Sequence, residues 1–480
     1  MATDGENTRP AGERSMRRWI IGIVAFLVVV VAVVGAALVV ANGRGTDVAD
    51  AAEIPAAAPA LVAAPVGDDA TGDADATAAA EAVAAALAGP AADEALGQLS
   101  GVVTDVASGA ELWSATPDTP LVPASVTKLT TATAALLTLP ADDRVATTVL
   151  AGTTPGQVIL KGDGDVTLSR TADSGFFTDA ASIEDLAAQA AAALGGQPVT
   201  SIVVDNSVRG GDLFNETWST EDIEAGNVAP LGAVMIDAGR LDSSDNYSAR
   251  SETPAGDVGR ALAEALGAAD VPVTVSDTPV AAAEGDPLAT VYSAPLGTRI
   301  RDMLLYSDNL LAEAVGREVA AARNQQQTFD GATAAVLDTL SDAGVDVSGA
   351  VLKDCSGMSA DNRLTARILD GVLALAAGAP VAEDVTLTGD PAELRLLFDA
   401  LPVAGADGTL ADRYLSGSGA EAAAGRVRAK TGTLDGVNTL AGTVTTDSGR
   451  VLTFAFLSNG SDQEAGRAAL DRLAAALREA

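Results

Sequence analysis

Residues Trp19–Ala41 run for 23 positions without a charged side chain. No other stretch restricts the folding of this chain as sharply. The length matches a helix crossing a hydrocarbon core of about 30 Å. In lipid only a helix satisfies every backbone group, so even the β-branched run Val28 to Val31 is expected to be helical. A cleavable signal carries an apolar region of about 7–15 residues. This one is longer, and Val39-Val40-Ala41 is a poor small-residue cleavage site, so the expectation is an uncleaved transmembrane helix over 19–41, with a cleaved, secreted form as the minority alternative. Arg9, Arg14, Arg17 and Arg18 precede the run and only Arg44 follows closely. The positive-inside rule therefore makes 1–18 a cytoplasmic tail and places the rest outside. Residues 42–77, rich in Ala, Pro, Asp and Gly and without an aromatic side chain, read as a disordered tether.

The body beyond the tether contains no histidine, one cysteine and few lysines; the whole chain has only Lys128, Lys161, Lys353 and Lys430. Without imidazole, Ser-His-Asp and Cys-His catalysis cannot be built, and zinc sites of the His or Cys-cluster type are excluded. No metal and no cofactor is expected. Acid-base chemistry near neutral pH falls to a tuned lysine, carboxylate, tyrosine or the amino terminus. The net charge of −36 argues against nucleic acid as a partner.

The pattern along the body is mixed. Strands are expected at Gly101–Val106 and Ala110–Trp113, then a helix from Val126 to Leu139 with Leu129, Ala132, Leu136 and Leu137 near one face. From about Asp142 short strands (147–150, 158–160, 199–205) alternate with Gly-rich turns and helices at 183–194 and 257–266. Helical patterning resumes near Leu296, with helices at 309–324 and 328–343. The end of the chain reads as a strand leading into Lys430, a hairpin over 439–458, and a helix capped by Asp462. The resulting fold class is α+β, with a body of 78–141 and 290–480 interrupted by an inserted domain over 142–289.

Three short motifs carry chemistry. Ser125-Val-Thr-Lys128 sets a hydroxyl and an amine on one face of a helix start. Serine is a weak nucleophile without an adjacent base, and lysine serves as one only when burial or nearby positive charge lowers its pKa. Ser307-Asp-Asn309 offers a proton relay at Ser307 and an amide clamp at Asn309. Lys430-Thr431-Gly432-Thr433 offers a second positive charge to depress Lys128, hydroxyls on Thr431 and Thr433 for a substrate carboxylate, and a Thr433 N–H that with the Ser125 N–H would form an oxyanion hole. Singly, each motif is more often a helix cap, a helix start or a strand end. With four lysines, a chance Lys-Thr-Gly triplet is expected about 0.04 times, so the ordered set is a joint signal.

On these motifs the chain resembles the class C low-molecular-mass penicillin-binding proteins, the D-alanyl-D-alanine carboxypeptidase/endopeptidase family (peptidase S13). The resembling stretches are Pro123–Lys128, Gly162–Asp165, Ser307–Glu313, Asp354–Ser359, Leu401–Gly405 and Ala429–Leu434. The interval of 182 positions from Ser125 to Ser307 matches the insertion that this family carries. The resemblance implies a penicillin-binding-protein/serine β-lactamase-like transpeptidase domain, an antiparallel sheet with flanking helices, interrupted by a mostly-β inserted domain. It implies an extracytoplasmic serine D,D-peptidase of a bacterium, held at the cell membrane by one span. Its substrates would be peptidoglycan stem peptides and its inhibitors β-lactams. Ser125, Lys128 and Ser307 would be catalytic, and Asn309, Lys430, Thr431 and Thr433 would bind substrate. The alternatives are a β-lactamase or esterase on the same core, which needs a glutamate to activate the deacylating water, and a non-catalytic wall-binding protein. Lys161 and Lys353 read as surface residues, Cys355 as a buried small residue, Trp113 and Trp218 as packing. The Gly-Asp-Gly-Asp loop with Asp163 and Asp165 lacks the rest of a calcium loop.

Overall fold

The computed structural model describes residues 72–379 and 389–480. The expected cytoplasmic tail, the span over 19–41 and most of the tether lie outside the described residues. Among the described residues no helix is long and apolar enough to cross a membrane. The tether expected over 42–77 is corrected at its end, because Gly72–Leu87 is one helix, α1. Alanine favours helix, Val83 and Leu87 are buried, and Asp75 pairs with Arg450 at 2.9 Å.

Among the described residues ten strands form two five-stranded sheets. The first is antiparallel throughout and combines β1 (Gln98–Asp105) and β2 (Glu111–Ala115) with β8 (Val427–Leu434), β9 (Val437–Thr445) and β10 (Val451–Asn459), in the order β2-β1-β10-β9-β8. Alternation along β10 explains why it is buried on both sides. Leu452, Phe454 and Phe456 pack with α1 and the C-terminal helix α9 (Gln463–Ala476), whereas Ala455 and Leu457 pack with a helical cluster. Asp462 caps α9, accepting from the amides of Glu464 and Ala465.

At the centre of that cluster is α2 (Thr127–Thr138), in which every residue is buried. Its alanines and leucines tolerate burial all round. Its threonines mostly return their hydroxyls to backbone carbonyls, as Thr130 does to Thr127 and Thr131 to Cys355 at 2.7 Å. Around it stand α5 (Leu296–Leu305), α6 (Asn309–Ala322), α7 (Phe329–Asp342) and α8 (Ala366–Ala376). The last of these is not among the helices that the sequence pattern predicts.

The second sheet is drawn wholly from residues 146–292: β3 (Ala146–Ala151), β4 (Gln157–Gly162), β5 (Ser201–Asp205), β6 (Val273–Ser276) and β7 (Ala289–Tyr292), ordered β6-β5-β4-β3-β7. The expectation of a mostly-β insert is corrected. β4, β5 and β6 run parallel, and parallel neighbours need long crossovers, usually helical. Here they contain α3 (Ile183–Leu194) and α4 (Pro254–Ala265), whose apolar faces pack on Val158, Leu160, Ile202 and Val204. This segment is therefore an α/β layer. Gly259 is needed there, since a Cβ would fall 2.6 Å from Val273 and 2.7 Å from Val204.

Candidate active site

Ser125 lies in a single 3-10 turn, Ala124–Val126, that runs into α2. The chain entering that turn is fixed to the first sheet. Asn459 bonds both the N–H and the carbonyl of Val122, at 2.9 and 3.1 Å, and the Thr439 hydroxyl donates to the Pro123 carbonyl at 2.8 Å. Ala124 is left-handed at φ 47°, a strain on the order of 1 kcal/mol for a residue with a Cβ. β8 closes on the same point. A Cβ on Gly432 would sit 2.8 Å from the Ser125 amide nitrogen and 2.1 Å from the Thr439 hydroxyl, so only glycine lets this strand pass.

One turn on from Ser125, at the start of α2, Lys128 is fully buried. Its Nζ lies 3.0 Å from Ser125 Oγ, 2.6 Å from Asn309 Oδ1 and 2.7 Å from the Ser356 carbonyl. A neutral amine has two hydrogens and one lone pair. Asn309 and Ser356 accept the two hydrogens, which leaves the lone pair facing the Ser125 hydroxyl. Burial lowers Lys128 to about 8, against the opposing pull of Asp354, Asp308 and Glu313.

Lys430 forms a second cluster. It is fully buried on β8 and donates to Ser307 Oγ at 2.9 Å and to the Thr431 carbonyl at 2.6 Å. Burial first, then the Lys128 charge and Arg413, hold it well below the usual lysine range. Burial is the first cause of the lowering at both lysines, and at Lys430 the Lys128 charge adds to it. Ser307 is itself left-handed, at φ 59°. The Thr431 hydroxyl bonds that of Thr409 at 2.8 Å. Half-buried Thr433 makes no side-chain hydrogen bond among the described residues, so its hydroxyl is open to a ligand.

The structure thus joins Ser125, Lys128 and Asn309 in one network and Ser307 with Lys430 in another beside it. The family model for the D-Ala-D-Ala carboxypeptidase 3 (S13) family matches residues 83–245 and 241–480. A carboxypeptidase DacB of Mycolicibacterium smegmatis is 45% identical over 474 residues, 98% of each chain. The chain belongs to the D-Ala-D-Ala carboxypeptidase 3 (S13) family. A Mycobacterium tuberculosis carboxypeptidase is 46% identical over 391 residues, 81% of each chain. The fold is that of penicillin binding protein 4 of Haemophilus influenzae, with a TM-score of 0.62 at 22% identity over 83% of this chain and 97% of that one. Family membership makes the chain a serine-type D-Ala-D-Ala carboxypeptidase acting on peptidoglycan.

Several groups of this S13 site escape sequence reasoning. Ser356 contributes only a backbone carbonyl, which has no residue-type signature. Its loop is shaped by two buried carboxylates. Glu313 Oε1 accepts from the Cys355 and Ser356 amides at 3.0 and 2.8 Å. Asp354 accepts from Trp218 Nε1, the Gly357 and Ser359 amides and Asn362 Nδ2. Both residues stand inside the resembling stretches, where nothing local gives them a role. Burial, then Asp354, raises Glu313 to about 7. Asn309 is bonded at both ends, its Nδ2 donating to the Asn227 carbonyl at 3.1 Å. Cys355 is buried and its thiol is pushed well above its ordinary range by that burial, which makes it inert as a nucleophile. Exposed Lys161 pairs with Asp163 at 3.1 Å. Exposed Lys353 borders a cleft of about 760 Å³ that also includes Phe214, Gln326 and Asp330 and none of the residues above.

Proposed function

We propose that this carboxypeptidase works outside the cytoplasm, tethered by residues 19–41, and removes the terminal D-alanine of peptidoglycan stem peptides through an acyl-enzyme on Ser125. Neutral Lys128 takes the Ser125 proton as Oγ bonds to the carbonyl carbon of the penultimate D-alanine. The resulting oxyanion is held by the Ser125 and Thr433 N–H groups. Collapse breaks the C–N bond, and the leaving amine receives a proton relayed through Ser307. Water then hydrolyses the ester with Lys128 again as base. Lys430, Thr431 and Thr433 receive the terminal carboxylate, whose charge draws a proton back onto Lys430. Asn309 orients Lys128, and the amide hydrogen it now gives to Met358 Sδ at 3.7 Å, a weak acceptor, is the one a substrate carbonyl would take over. D-alanine crosslinks are cleaved by the same steps when the leaving amine belongs to a second stem.

The observation that carries this reading is the buried Nζ of Lys128 with two acceptors and one hydroxyl around it. β-Lactams present the same reacting amide and carboxylate, and a crystal structure of the Haemophilus protein is described as a β-lactam complex. The ester left by a β-lactam should turn over more slowly than on a β-lactamase, because the three carboxylates acting on Lys128 are already committed. Glu313 holds two amides and Arg317, Asp354 holds four donors, and Asp308 holds two arginines. None is left to activate water as a β-lactamase requires. A fluorescent penicillin should label the wild type and not Ser125→Ala. Absence of wild-type label, or equal label on both, defeats the proposal.

A further inference from the structure

The insert reaches back into the peptidase site at the Ser-Asp-Asn motif. Residues 306–309 carry the Ser-Asp-Asn motif, and three of the four are tied to residues 227–250. Asn246 Nδ2 donates to the Tyr306 carbonyl at 3.3 Å. Asp308 Oδ2 accepts from Arg240 at 2.8 Å and Arg250 at 3.2 Å. Asn309 Nδ2 donates to the Asn227 carbonyl at 3.1 Å. Only Ser307 is untied, and it faces Lys430. The two guanidiniums are themselves held firmly. Arg240 stacks on Phe176 at 3.6 Å from the ring centroid, and that ring packs edge-on against Tyr306 at 4.9 Å. Asp237 and Ala238 are left-handed, at φ 47° and 53°. Their carbonyls turn inward, so that Asp237 accepts from Arg240 at 3.1 Å and Ala238 from Arg250 at 2.8 Å. The side chains of Arg240, Arg250 and Asp308 are 0, 3 and 0% exposed.

We infer that Arg240 and Arg250 are positioning residues of the peptidase, by which the insert clamps Asp308 and so sets Ser307 against Lys430 and Asn309 against Lys128. A buried ion pair is weak evidence of stabilisation, since well-packed apolar residues often replace one at no loss. Fixing geometry is the better-founded role for it. Asp308 is suited to the task because its two oxygens divide the work. Oδ1 caps α6 by accepting from the Leu311 amide at 2.8 Å, and Oδ2 takes both arginines. The clamp therefore fixes the start of α6 and the strained serine before it together.

The inference rests on the D,D-peptidase reading, and it makes an electrostatic prediction that a scaffold alone would not. Lys128 is faced by Asp308, Asp354 and Glu313, with Lys430 on the adjoining strand, Arg240 and Arg250 behind Asp308, and Arg317 behind Glu313. Arg240→Met leaves the Asp308 charge less compensated, so the acid limb of the acylation rate should move to higher pH. Asp308→Asn removes a carboxylate that favours charged Lys128, so the limb should move to lower pH. The Arg240→Met rate itself should fall roughly 100-fold, the penalty of an angstrom-scale misplacement of reacting groups. Acylation by fluorescent penicillin from pH 6 to 10 reads both effects. Hydrogen exchange of the 306–311 amides, expected to quicken in Arg240→Met and Arg250→Met, reads the clamp even if the wild type takes no penicillin. If Arg240→Met does not fold, Arg240→Lys and Arg250→Lys keep the charge but lose the planar fork and its stack on Phe176. They should show the faster exchange and a smaller loss of rate. Folded variants with wild-type exchange and an unmoved acid limb would overturn the inference.

Discussion

Lys128 and Lys430 share a residue type and complete burial, and both contact a serine hydroxyl at about 3 Å. Their surroundings are opposite in sign. Around Lys128 three carboxylates resist the effect of burial and hold it to about 8. Around Lys430 the charged neighbours, Lys128 and Arg413, act with burial and hold it well below the usual lysine range. The first environment suits a base, poised near the pH at which proton transfer is wanted. The second suits a receptor for negative charge. Lys430 gains most from an arriving carboxylate because no anion of the protein already pairs with it among the described residues. The difference lies in what stands behind each amine rather than in the motif that names it.

Replacing each lysine by arginine breaks the comparison most directly. Arginine keeps the charge but cannot deprotonate, so Lys128→Arg should lose about 10² to 10⁴ in kcat/KM, with no recovery up to pH 10. Lys430→Arg should lose less, about tenfold to a hundredfold, the worth of one charged hydrogen bond. That loss should fall mainly on substrates with a free terminal carboxylate. A stem pentapeptide and its C-terminal amide, assayed side by side from pH 6 to 10, separate the two roles. Equal losses for both variants on both substrates would erase the distinction. A smaller change tests the carboxylate side alone. Thr409→Val frees the Thr431 hydroxyl from its 2.8 Å partner and should alter KM for the pentapeptide by about fivefold or less, the scale of one neutral hydrogen bond.

Legibility in the sequence divides along the same line. Ser125, Lys128, Ser307, Asn309 and Lys430 lie in runs of three or four residues, and local spacing with lysine scarcity is enough to select them. Their surroundings come from far along the chain. The Ser356 carbonyl lies 228 residues from Lys128, and Arg240 lies 68 from Asp308, separations over which no local pattern carries information. The same limit explains the fold. The hairpin of β9 and β10 and the Asp462 cap are local and legible. The short β6 and β7, four residues each, and the parallel pairing of β4, β5 and β6 exist only through tertiary contacts. The expectation of a mostly-β insert fails for that reason, although its two long helices are visible in the sequence.

Glu313→Gln is the finest test of the comparison, because it alters the surroundings of Lys128 without touching a reacting atom. Glutamine keeps an oxygen for the Cys355 and Ser356 amides, so the Ser356 carbonyl should stay on Lys128. It removes the weakest of the three carboxylate influences on that lysine, so the acid limb of kcat/KM should move to lower pH, by less than in Asp308→Asn. Stability supplies an independent sign. Glu313 is raised to about 7 from 4.5, so the folded state holds its proton more tightly than the unfolded chain does. That contribution is complete below about pH 4.5 and is lost as pH rises through 7. Glutamine does not titrate, so the decline in Tm across that window should flatten in the variant. Above pH 7 its Tm should lie above the wild type, because the raised Glu313 pKa already sets the Arg317 pairing at 3.4 Å against the larger cost of burying the charge. An acid limb that moved upward, or an unchanged slope of Tm with pH, would show that the negative charge behind Lys128 is not what separates it from Lys430.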